Sequence, residues 1–89
     1  MKMWNYASLE DETRIFYSNL HEDGSVSIAI ERPRDWGFDS AKCLMPSYAR
    51  SDVNGFSDEE VADIESFLRD NAPLIFELSE TSYDERLIA

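Results

Sequence analysis

An α+β fold is predicted for this chain: a small antiparallel sheet of three to four strands in a meander, with one or two C-terminal helices on one face. Three observations carry that prediction. Residues 25–31, SVSIAIE, alternate strictly, so Val26, Ile28 and Ile30 share one face of a strand. Asp23-Gly24 lies between this run and a second β-rich run, residues 13–20, where a hairpin turn needs a residue that accepts positive φ. From Ser57 onward the apolar period changes from two to that of a helix.

The elements follow in order. Residues 3–7 supply an edge strand, and residues 13–20, TRIFYSNL, the next one. The strand at 25–31 is expected to end at Arg32-Pro33, because proline cannot donate a ladder hydrogen bond. Residues 40–45, SAKCLM, form a further strand stopped by Pro46. Residues 47–55, SYARSDVNG, read as a surface loop with Asn-Gly turn chemistry, in which Tyr48 is either core or contact. Arg14, Ser25, Ser27 and Glu31 read as the solvent-facing side of the sheet.

Ser57 is an N-cap, and Glu60 three residues later completes a capping box. Phe56 is placed to pack on Val61, and Val61, Ile64, Phe67 and Leu68 form the buried stripe. Asn71 followed by Pro73 predicts a second helix with Leu74, Ile75 and Leu78 buried; the alternative is one long helix kinked before Pro73. The tail, residues 82–89, carries a Ser-x-x-Glu pattern but is too short to be a helix alone, and Leu87 and Ile88 predict that it docks.

At 89 residues the chain is expected to be a single acidic domain, 1–89. A 43% apolar and 12% aromatic content belongs to a folded chain, not a disordered one. The formal net charge is −11, from 19 acids and 8 bases. Residues 1–50 hold 8 acids and 6 bases, whereas residues 51–89 hold 11 acids and 2 bases. Such a balance disfavours direct binding of nucleic acid or an anionic membrane, which needs Lys and Arg, and neither is expected as a partner. It leaves solubility, cation binding or attraction to a basic protein surface. The one cysteine, Cys43, has no partner for an internal disulfide, and no signal peptide is visible, so a cytoplasmic setting is expected.

Four constellations hold residues with functional chemistry. On the helix, Glu59, Asp63 and Asp70 share the outward face with Ser66; Glu65 is counted with them as a partner-binding acid, although it is also placed to pair with Arg69. Glu59 and Asp63 are a like-charge pair at i,i+4, which costs about a few tenths of a kcal/mol. Asp58, Glu59 and Glu60 are favoured by the helix dipole in the first turn, but Asp63 and Asp70 are not. That row is either a solvated face or an acidic partner-binding surface. Residues 32–38, RPRDWGF, are either a loop whose aromatics tuck into the core or a contact loop anchored by Arg34, Trp36 and Phe38.

Asn19-x-His21-x-Asp23-Gly24 resembles the start of a calcium loop, but Ile30 stands where the bidentate Glu belongs, so no metal is expected. With one His and one Cys there is no zinc set either. No phosphate loop or nucleophile elbow occurs, and Cys43 falls on a strand as a buried residue, so catalytic residues and cofactors are expected to be absent. The functional expectation is a non-enzymatic protein-binding module, an acidic nucleic-acid mimic that occupies the basic surface of a nucleic-acid-binding protein. Anti-CRISPR and other anti-defence inhibitors are instances of that class. The alternative is an antitoxin-like or housekeeping subunit that binds through an apolar or aromatic surface.

Overall fold

A computed structural model describes residues 2–80; the expectations for the tail, 82–89, lie outside them. The chain forms five strands and then one helix: β1 (Met3–Ser8), β2 (Arg14–Ser18), β3 (Val26–Arg34), β4 (Gly37–Met45), β5 (Ala49–Asn54) and α1 (Asp58–Glu80). The strands lie in the order β1-β2-β3-β4-β5, each antiparallel to the next. The α+β meander is as expected, with five strands instead of three to four and one helix on one face.

β3 keeps the alternation of its sequence: Val26, Ile28 and Ile30 are buried, together with Ile15 and Tyr17 of β2 and Ala41, Cys43 and Met45 of β4. α1 covers this face with Val61, Ile64, Leu68 and Ile75, and Phe56 closes one end. An aromatic cluster closes another part, with Trp4 and Tyr6 of β1 each about 6 Å from Tyr17 between ring centroids (6.1 and 6.2 Å). The Tyr6 hydroxyl also donates to Asn71 Oδ1 at 2.8 Å, tying the edge strand to the helix.

The β2–β3 connection has the predicted chemistry. Gly24 adopts φ +85°, and Asp23 Oδ1 accepts from both the Ser25 N–H and its hydroxyl. At the other end of β3, the strand runs through Pro33 to Arg34, contrary to the expectation that it stops there. Arg34 and Gly37 close the hairpin and Pro33 stands opposite Phe38. In an antiparallel ladder the residue next to the closing pair turns its N–H away from its partner. β2 pairs with β3 no further than Glu31, so proline sacrifices no bond on that side.

β5 replaces the expected loop at 47–55. Every residue in it is exposed, so it has no apolar alternation to read. In its pairing Leu44, Cys43 and Lys42 face Ala49, Arg50 and Ser51, and no buried apolar side chain of β5 contributes. Tyr48, at φ +60°, donates its N–H to the Leu44 carbonyl and closes the turn. Both edge pairings carry a bulge, between Asn5 and Ala7 in β1 and between Ser40 and Lys42 beside β5.

The helix is continuous through Pro73. Leu68 and Ile75 are two turns apart and both buried, so the stripe keeps its phase across the proline and both halves meet the same sheet. Asn71 does not cap a new helix; its Nδ2 donates to the Phe67 carbonyl at 2.8 Å. Leu74, expected in the core, is 48% exposed, whereas Ile75 is fully buried and Leu78 partly so. At the start of α1 the capping box is reciprocal: the Glu60 N–H donates to Ser57 Oγ and the Ser57 N–H to Glu60 Oε1. Ser57→Ala should lower the unfolding free energy by about 1 kcal/mol, read as a shifted urea midpoint with unchanged slope.

Candidate functional site

The β3–β4 hairpin projects past the end of β2, and an ion network fixes its base. Arg32 occupies the next position in the phase of Ile28 and Ile30, so its guanidinium enters the protein instead of water, and the residue is 7% exposed. Asp39 is its direct cross-strand partner and is 5% exposed. Asp39 Oδ2 accepts from Arg32 Nε at 2.9 Å, from Arg32 Nη2 at 2.8 Å and from Arg34 Nε at 2.6 Å. Arg32 Nη1 pairs with Glu60 in the first turn of α1, and Asp11 in the β1–β2 loop lies 3.6 Å away. The guanidinium lies over the Phe56 ring, 4.5 Å from its centroid.

These contacts move the acids in one direction. Glu60 is pulled down to about 2, first by Arg32 and then by the Ser57 N–H. Asp39 lies below the usual carboxylate range, held there by Arg32 and then by Arg34. Asp11 is lowered chiefly by its hydrogen bond with the Thr13 hydroxyl. Arg32 is correspondingly raised, by Glu60 first.

The residues this network supports are the expected contact residues. Trp36, at the hairpin turn, is 80% exposed, and the Arg34 guanidinium lies 5.9 Å from its ring centroid. Phe38 is 64% exposed and, one residue before Asp39, points to the opposite face of the sheet. Neither aromatic is in the core. Arg32 and Asp39, which position both, were not among the expected site residues. The available signal was a charged side chain falling in the core phase of β3.

On α1 the structure separates the four expected acids. Glu59, Asp63 and Asp70 are exposed and have no hydrogen bond or ion pair among the described residues. Glu77 and Glu80, not expected, extend the same outward stripe. From Glu59 to Glu77 the row runs about 27 Å along the axis. Glu65 does not join it: half-buried, it accepts from Arg69 at 3.2 Å and lies 3.6 Å from Arg50 of β5. Arg69 also stacks on Tyr48, 4.1 Å from the ring centroid, so its charge turns toward β5 and away from the row. Asp63 borders a cleft of about 280 Å³ with Leu9, Asp11, Phe56 and Ile64.

Cys43 and His21 both have structural surroundings. Cys43 is buried, and desolvation pushes its thiol up, away from the reactive thiolate. His21 Nε2 shares a 2.8 Å hydrogen bond with Ser27 Oγ, while Ser18 Oγ accepts the Ser27 N–H, so the trio closes the β2–β3 loop. No helix among the described residues is long and apolar enough to cross a membrane. Comparison with known protein families, characterised proteins and solved structures gives no match to this chain.

Two tests address the network. A carboxyl whose folded pKa is depressed binds protons more readily in the unfolded chain, so its contribution is present above the unfolded value and lost as pH falls through the folded one. For Glu60 that window runs from 4.5 down to about 2. The urea midpoint should fall across it, and Glu60→Gln should flatten the decline. Gly55, at φ +88°, packs where a Cβ would overlap the Asp39 carboxylate. Gly55→Ala should therefore lose more than about 1 kcal/mol in the same measurement.

Proposed function

We propose that the protein is a non-enzymatic binding module that docks on a basic protein surface. The observation that carries this reading is Trp36, 80% exposed at the turn of a hairpin whose base is fixed by Arg32, Arg34 and Asp39. Trp and Arg are the side chains that most often anchor interfaces, and an anchor held in place loses little freedom on binding. A tryptophan ring left in water forgoes the stabilisation that burial would give, which leaves that apolar area for a contact outside the fold.

The acidic row supports the identity of the partner. Glu59, Asp63, Asp70 and Glu77 present carboxylates along one helix with no facing base among the described residues, which attracts a cationic surface over long range. In the sharper form of the proposal the partner is a nucleic-acid-binding protein. The carboxylates then stand in for backbone phosphates and release the counterions of a basic groove. Glu65 belongs to the β5 contact and has no part in it.

A pull-down from lysate at low and high salt, with wild type beside the triple variant Glu59→Lys, Asp63→Lys, Asp70→Lys, tests the reading. Capture should fall steeply with salt, be competed by duplex nucleic acid and be lost in the triple variant. Binding that ignores both salt and the charge reversal would sink it. Trp36→Ala should weaken a captured partner by about 2 kcal/mol or more, roughly thirtyfold in Kd.

A further inference from the structure

The open face of the sheet, opposite α1, has a chemistry unlike the rest of the surface. Strand register fixes its members. Phe16, Ala29 and Lys42 form one cross-strand row, Arg14, Glu31 and Ser40 the next, and Pro33 stands opposite Phe38. Residues in the other phase, Ile15, Ile28, Ile30 and Cys43, are the buried ones. An antiparallel sheet with one wet face ordinarily places polar side chains there. Here Met3, Phe16, Ala29, Pro33, Phe38 and Leu44 share it with Asn5, Ser27, Ser40 and a few charged residues, so apolar side chains stand between the polar ones. Two clefts open on this face, one of about 420 Å³ beside Met3, Ala29 and Leu44, and one of about 260 Å³ between Phe16, Pro33 and Phe38.

Its charge is nearly balanced in a chain of −11. Among the described residues the charged members of the face are Arg14, Glu31 and Lys42, with Asp52 of the edge strand 3.5 Å from Lys42. Few charges, with aromatic and aliphatic side chains between them, is the composition of an interface centre.

We infer that this face is the interface of a homodimer, two copies packed sheet to sheet about a two-fold axis. Charge selects the occupant. Two chains of −11 repel wherever acidic surfaces meet, and this balanced face is where they approach at least electrostatic cost. A two-fold contact presents the same patch to itself, so the patch must hold both signs, as Arg14 and Glu31 do. Area is of the right order: five strands about 4.8 Å apart and on average about seven residues long span about 550 Å² in projection, before side-chain relief is counted. Stable interfaces take roughly 800 Å² of accessible surface from each partner. Both copies of α1 then lie outermost, so the acidic rows stay open to a basic partner. The dimer does not depend on that partner.

Sedimentation velocity on the full chain, from low to high micromolar and at two salt concentrations, tests the inference. A species of twice the monomer mass should grow with concentration and with salt, since screening removes the mutual repulsion and leaves the apolar contact. Phe16→Lys should raise the dissociation constant at least roughly tenfold. Phe38→Lys, at a largely exposed position that does not threaten folding, should also weaken the dimer. Both substitutions reduce the net charge, so added repulsion does not account for the loss. The triple helix reversal should leave the dimer intact. A chain that stays monomeric throughout, variants that associate like wild type, or dimers dissolved by salt or by the triple reversal would each overturn the interface.

Discussion

The guanidinium of Arg32 is the constraint around which the molecule is arranged. A charge at a core position must be neutralised and hydrogen-bonded in place, because desolvating it otherwise costs far more than folding can supply. Asp39 comes from the neighbouring strand, Glu60 from the helix, Asp11 from the loop between the first two strands, and Phe56 supplies a ring to lie against. Those segments cannot take up their pairing without fixing the first turn of α1 against the hairpin. Glu60 does two things at once, receiving Arg32 on one oxygen and the Ser57 N–H on the other. The start of the helix and the base of the hairpin are therefore one unit, and the aromatic turn beyond it inherits a fixed direction.

What could be read from residues alone is what periodicity encodes. The alternation of Val26, Ile28 and Ile30, the stripe through Val61, Ile64 and Leu68, and the Ser57–Glu60 box each follow from local spacing, and each is found in place. β5 had no such signal, because all six of its positions are wet. Pro33 reads as a strand end in the sequence and is none, since the penalty of a proline depends on which side its nitrogen faces, and that is a property of register. Pro73 after Asn71 resembles a helix boundary, although Ile75 stands in phase with Leu68. At the site, composition singled out Arg34, Trp36 and Phe38. Arg32 and Asp39 needed the hairpin pairing before either could be seen to have a partner.

Charge is segregated as thoroughly as polarity. Of the cations, Arg32 and Arg34 are committed to Asp39, and Arg50 and Arg69 gather around Glu65. What remains outside, among the described residues, is a helix face with its carboxylates unopposed and, across the core, a sheet face with almost no net charge. One side is suited to long-range attraction of cations and the other to close apolar contact. Phe38 and Trp36 sit near the end of the hairpin, on opposite sides of the same turn.

The two bulges set a limit on growth. A regular outer strand offers a row of unpaired amides that recruits further strands without end. Here the first strand breaks step at Tyr6 and the register beside the last slips at Ala41, so neither border is a straight template. Accretion sideways is blocked at both margins, while stacking across the bare side ends once two copies have met. A strongly β-rich chain is thereby steered toward a closed particle and away from a fibre.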